Sequence, residues 1–168
     1  IEPRAVSNPN DAEAQWLLSR LRMVFKDFDG ALAPAEKAAA LDPKNAEYRW
    51  QVAQVVGEQA SNASIFKQMG LAKRYRKEVE AALALNPKHT ASMMGLMEYF
   101  NRAPGIVGGD KKKAGEIPGQ IMTINQVDGW IAKVRLLQQQ SPVPAGEIEQ
   151  AWVQAVQADP SRYEPHIN

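Results

Sequence analysis

The sequence predicts an all-α protein, a right-handed α-α superhelix (solenoid) of about four helical hairpins forming one domain over residues 1–168. Three observations carry that expectation. First, the chain is punctuated by Leu41-Asp42-Pro43, Leu85-Asn86-Pro87 and Ala158-Asp159-Pro160, with a weaker copy at Ile124-Asn125-Gln126. Asp or Asn leaving a helix just before Pro, which cannot continue it, is a helix stop. Second, each stop follows an alanine-rich amphipathic stretch and precedes a polar start, the pattern of one helix handing over to the next. Third, Trp16 and Trp50 stand 34 residues apart, a spacing typical of two-helix repeats.

Placing each Pro at the same point of a 34-residue unit gives units at about 12–45, 46–89, 90–128 and 129–162. Residues 163–168 then read as the start of a truncated fifth unit, with Ile167 where Trp16 and Trp50 sit. The expected helices are about 10–26, 29–41, 45–61, 67–86, 89–102, 110–124, 126–140 and 144–158. Small residues at helix crossings support the register: Ala31 and Ala38 in the first unit, Ala82 in the second, Ala114 in the third and Ala155 in the fourth. Counting back from Pro160 and forward from Ala114 starts the last unit at the same residue, Gly129. Pro118 stands inside the sixth helix, where a missing N–H and a ring clash predict a kink or early stop near residues 117–119. About 10 extra residues fall within 60–70 and about 5 within 102–110. Insertions in a solenoid are expected to form loops on one face, often a functional one.

The segment Lys26-Asp27-Phe28-Asp29-Gly30-Ala31-Leu32, followed by Ala35, Ala38 and Leu41-Asp42-Pro43, resembles the second half of a tetratricopeptide repeat (TPR). The resemblance covers about residues 12–162. It thins in the fourth unit, where Trp130, Ile131, Val134 and Leu137 make an apolar face but miss the family's offsets. The loop from Ala103 to Lys111, which includes Gly105, Val107, Gly108 and Gly109, is similar to one found in a subset of bacterial members. A bacterial periplasmic or secreted setting is the expectation drawn from that loop. Beginning at Ile1 and not Met, the chain is expected to be processed or cut from a longer one.

Composition bounds the function. A 45% hydrophobic content is enough for a packed core. A net charge of +1 argues against a dedicated polyanion binder, so no nucleic acid partner is expected. No apolar run approaches the ~20 residues that span a bilayer. With no cysteine, disulfides, thiolate metal sites and cysteine nucleophiles are excluded. The charge is uneven, with 10 basic and 5 acidic side chains in residues 61–120.

Candidate chemistry is sparse. The loop from Gly105 to Lys113 invites a phosphate-loop reading, but Gly109 leads into Asp110 and three lysines, and no strand precedes it. Asp110 is better placed to cap the following helix. His89 and His166 lack partners at metal or triad spacing, and His89, at a helix start, is expected to be solvated or capping. Glu78/Glu80 and Glu147/Glu149, two residues apart on helices, point to different faces and make poor acid–base pairs. No catalytic residue, cofactor or metal is therefore expected.

What remains is a surface. The resemblance implies that Trp16, Trp50 and Met94, equivalent in three successive units, line a concave face, with Arg20, Gln54 and Glu98 one turn on. Their alternative is the core between neighbouring helices. The lysine and asparagine set that some family members use to grip a C-terminal carboxylate is not matched, since Trp16, Arg20, Gln51, Ala91 and Gly95 stand at the aligned positions. A basic patch of Lys67, Lys73, Arg74 and Lys77, extended by Lys111 and Lys112, is a solvated face or a contact for an acidic protein. The expected role is a non-enzymatic protein–protein interaction scaffold holding a partner segment in its groove. The alternatives are a homo-oligomer with stacked ends, or a ligand-binding or enzymatic domain using the inserted loops.

Overall fold

The computed structural model describes residues 2–163, so His166, Ile167 and most of the expected fifth unit lie outside the described residues. Among the described residues there are nine α-helices, two 3-10 turns and no strand. The helices are α1 (Glu2–Ser7), α2 (Ala12–Val24), α3 (Phe28–Leu41), α4 (Ala46–Asn62), α5 (Ile65–Leu85), α6 (Thr90–Arg102), α7 (Lys111–Met122), α8 (Gln126–Leu137) and α9 (Ala145–Ala158). The 3-10 turns are Gly105–Val107 and Pro160–Tyr163. Helices α2 to α9 are the eight expected. The short α1 was not expected. It is held to α2 by Ala5, buried with Ala14 and Leu18, and by the Gln15 amide donating to the Ala5 carbonyl at 2.9 Å.

The helix stops work as their chemistry predicts. Asp42, Asn86 and Asp159 are the C-caps of α3, α5 and α9, and each backbone N–H closes on the carbonyl four residues back. Starts are capped by side chains that take up orphan N–H groups. Asp11 accepts from Ala14, Asp27 from Gly30, Asn45 from Glu47 and Tyr48, Asp110 from Lys113, and Asn125 from Asp128.

The described chain divides into two compact units, with the boundary between Ser92 and Met93. In the first, Ala31, Ala35 and Ala39 of α3 pack against Val52, Val55 and Val56 of α4, with Leu71 and Tyr75 of α5 at the margin. Small side chains let helix backbones come close, which is why the register residues Ala31, Ala38 and Ala82 are fully buried here, and Ala114 and Ala155 in the second unit. A buried hydrogen bond from the Gln51 amide to the Ser19 hydroxyl, 3.1 Å long, ties α4 to α2.

In the second unit α8 packs against both α7 and α9. Arg135 of α8 pairs with Glu98 of α6 at 3.2 Å, and the Asn101 amide donates to Gln139 at 2.9 Å. A Cβ on Gly129 would fall 2.3 Å from Met122 Cγ and 2.7 Å from its backbone N, so the α7–α8 turn needs glycine there.

Two expectations are corrected. Helix α7 does not stop near Ile117; it runs through Pro118 to Met122. Pro118 is buried on the same stripe as Ala114, Ile117 and Ile121, so packing offsets the hydrogen bond it cannot make. Pro34 lies buried within α3 in the same way. The extra residues at 60–70 do not form a loop. They lengthen α4 and α5 to 17 and 21 residues, joined through only Ala63 and Ser64. The second insertion does form a loop. Val107 is buried in it, its carbonyl accepts the Tyr99 hydroxyl, and the Asp110 N–H closes on the Phe100 carbonyl at 2.8 Å.

Candidate partner-binding face

Trp16 and Arg20 lie one turn apart on α2, and Trp50 and Gln54 one turn apart on α4, because residues four apart share a helix face. Both indoles are half-buried, and so is Gln54. Neither tryptophan is a core residue, and neither stands free in solvent. The exposed Arg20 side chain places its guanidinium 4.7 Å from the centre of the Trp16 ring, a cation–π contact. Tyr48 lies near that indole with ring centroids 6.0 Å apart and planes tilted by 43°. The Trp16 Nε1 is buried and has no acceptor among the described residues.

Trp50 is joined to this group through His89, whose ring meets it edge-on at 6.3 Å. His89 occupies the capping position before α6, and its Nδ1 accepts the Ser92 backbone N–H at 3.3 Å. That leaves the proton on Nε2, which donates to Glu47 at 2.9 Å. His89 is thus a cap, as expected of its position, and also a bridge. The hydrogen bond from His89 holds the Glu47 carboxyl below its ordinary range; partial burial opposes the effect and the charge of Arg20 adds to it. Within the first unit, Trp16 contacts Arg20 and Tyr48, and Glu47, next to Tyr48 in the chain, is joined through His89 to Trp50. A carboxylate kept ionised by a donor suits pairing with cationic or N–H groups and is a poor proton-transfer group at neutral pH.

Sequence reasoning identified Trp16, Arg20 and Trp50 but missed Glu47, Tyr48 and His89. A signal for His89 was present. Asp42-Pro43-Lys44-Asn45 and Asn86-Pro87-Lys88-His89 are the same turn, each closed by a hydrogen bond from its last N–H to its first carbonyl. His89 thus stands where Asn45 caps α4.

In the second unit Met94 and Glu98 are half-buried on α6, and Glu98 is engaged by Arg135. The basic residues separate by role. Arg74 is paired with Glu36, whereas Lys67, Lys73 and Lys77 are exposed on α5. Lys111 and Lys112 are exposed on the first turn of α7, in the second unit. A polar cleft of about 600 Å³ lies between the α2–α3 turn and the α4–α5 end. Its carboxylates are committed, Asp27 to the α3 cap and Asp29 to the Gln59 amide at 3.0 Å. No group of three His, Asp or Glu side chains among the described residues could hold a metal ion, and no helix is long and apolar enough to cross a membrane.

No protein-family model matches the chain, and no curated protein matches it. Among solved structures, the crystal structure of a thermophilic TPR protein from Thermus thermophilus is similar over 95% of this chain and 80% of its own, with a TM-score of 0.78 at 17% identity. The fold is that of a helical-repeat protein of the tetratricopeptide type, the all-α class that the helix stops and small residues predict.

Proposed function

We propose that the chain is a protein-interaction scaffold and that the Trp16–Arg20–Glu47–His89–Trp50 face of the first unit holds a segment of a partner protein. The observation that carries this is the pair of half-buried indoles, Trp16 under Arg20 and Trp50 against the His89–Glu47 pair. Aromatic side chains held rigid at a surface are strong anchors for a partner, and the charges between them set its polarity. Arg20, exposed and lying over Trp16, is a cover that can move aside. Because helices hold the face in place, little ordering is lost on binding. Met94 and Glu98 are the second unit's candidates for contacts of the same kind.

The test compares affinity capture by the wild type, Trp16→Ala/Trp50→Ala and Arg20→Glu, with helix content followed by circular dichroism. Loss of the same captured partner in both variants, at unchanged helicity, supports the face. Capture that persists in both variants overturns it. Arg20 is exposed, so its variant keeps the test clear of folding effects.

A homo-oligomer with stacked ends is the second reading. It is favoured by the outer surface of α9, where Trp152, Val153 and Val156 are 39%, 47% and 41% exposed. Sedimentation at several concentrations separates it from a monomeric scaffold.

A further inference from the structure

The lengthened α4 and α5 create a feature that the partner-binding face does not use. At 1.5 Å per residue, the 21 residues of α5 run to about 31 Å, against about 20 Å for the 13 of α2. The first turn and a half of α5 is exposed throughout, with Phe66 at 92%, Ile65 at 74% and Met69 at 51%. The adjoining α2–α3 turn, across the cleft at the same end of the unit, presents Val24 at 77% and Phe25 at 75%. Large side chains this exposed, grouped on one end, normally mark an interaction surface.

On α5 the charge beside them is mainly positive, while Asp27 and Asp29 line the cleft between the two segments. Residues 58–77 contain five basic side chains and one acidic, Glu58. Arg74 and Arg76 are neutralised by Glu36 and Glu80. Lys67, Lys73 and Lys77 are exposed and in no ion pair among the described residues. Helical spacing puts Lys73 and Lys77 on the outer face of α5 that begins with Phe66, about 10 and 16 Å further along the axis.

We propose that this end of the first unit docks on an anionic phospholipid surface. Ile65, Phe66 and Met69 enter the headgroup boundary, and the lysines engage the lipid phosphates. The distances agree. Interfacial side chains sink about 5–10 Å into that boundary, which brings Lys73 to phosphate level when Phe66 is fully inserted. Lysine stems reach the remaining distance while keeping the ammonium in water. The exposure also favours lipid over protein. A protein anchor is ringed by neighbours that exclude water, whereas a ring 92% exposed at a helix end has no such rim. A fluid bilayer requires none. The docking is peripheral and leaves the helices intact.

The experiment is co-sedimentation of the full chain with vesicles of phosphatidylcholine alone and of phosphatidylcholine mixed with phosphatidylglycerol. The variants are Ile65→Ser/Phe66→Ser and Lys67→Glu/Lys73→Glu, all at exposed positions, with circular dichroism confirming unchanged helicity. The wild type is expected to bind the anionic vesicles preferentially and less at high salt. Each variant should bind them at least about tenfold more weakly. Failure of the wild type to bind anionic vesicles, or binding that the variants leave unchanged, overturns the proposal. So does a protein captured through Phe66 with no vesicle binding, which would assign this end to a protein partner.

Discussion

His89 Nε2 lies 2.9 Å from the carboxylate of Glu47, joining the start of α6 to the start of α4. The same imidazole caps α6 through its other nitrogen. One side chain thus ends a turn, orients a carboxylate and supports Trp50.

The two jobs of His89 can be separated. His89→Ala removes both and should cost about 1 kcal/mol for the lost cap. His89→Asn keeps a capping oxygen, as Asn45 does at the equivalent turn, and should recover most of that stability while leaving Glu47 without its donor. Urea unfolding of the two variants checks the difference.

Glu47 makes stability depend on acid. Its carboxyl ionises more readily in the folded chain than at its ordinary value of 4.5. Such a group stabilises the fold above its unfolded-state pKa, and the contribution is lost as pH falls through the lower, folded-state value. Thermal melting between pH 6 and about pH 3 should show this loss below about 4.5. The Glu47→Gln variant should lose less over the same window. Because Glu47 is half-exposed, the difference should be small and shrink further with salt.

Gln51 and Ser19 offer a test of buried polar pairing. Both residues are buried, at 2% and 0% exposure. Ser19→Ala leaves the Gln51 amide without its acceptor and should cost about 1–3 kcal/mol. Adding Gln51→Met removes the stranded donor, so the double variant should be more stable than Ser19→Ala alone. A denaturation double-mutant cycle reads the coupling directly.

Gly109 and Gly105 sit in the same loop but should respond very differently to substitution. A Cβ on Gly109 would lie 1.7 Å from the Ala103 carbonyl oxygen, whereas one on Gly105 meets nothing within 4 Å. Gly109→Ala should destabilise by about 1–3 kcal/mol, the usual cost of overpacking. Gly105→Ala should change the melting temperature little.

Lys26 takes a left-handed backbone, φ 58, at the C-terminal end of α2. Most side chains are strained there and glycine is not. Lys26→Gly should therefore raise stability by up to about 1 kcal/mol, read as a higher melting temperature.

Much of this fold is legible one residue at a time. Asp42-Pro43, Asn86-Pro87 and Asp159-Pro160 end helices because Pro cannot donate a backbone hydrogen bond and Asp or Asn leaves the helix easily. Ala31, Ala82 and Ala155 mark close helix crossings because only small side chains fit there. These are local or pairwise effects, and they repeat at the spacing of the unit. The proposed face was partly legible for the same reason, since Trp16 and Trp50 occupy the same place in successive units.

What the residues alone left undecided depends on contacts distant in sequence. Whether the insertion at 60–70 becomes a loop or two longer helices turns on how α4 and α5 pair along their length. Pro118 continues its helix because neighbouring helices bury its ring, which no rule about proline within a helix anticipates. Glu47, Tyr48 and His89 join the candidate site because the fold brings the start of α4 beside α2 and ties it to His89 before α6. Chain order carries no such information; packing of helices in three dimensions decides it.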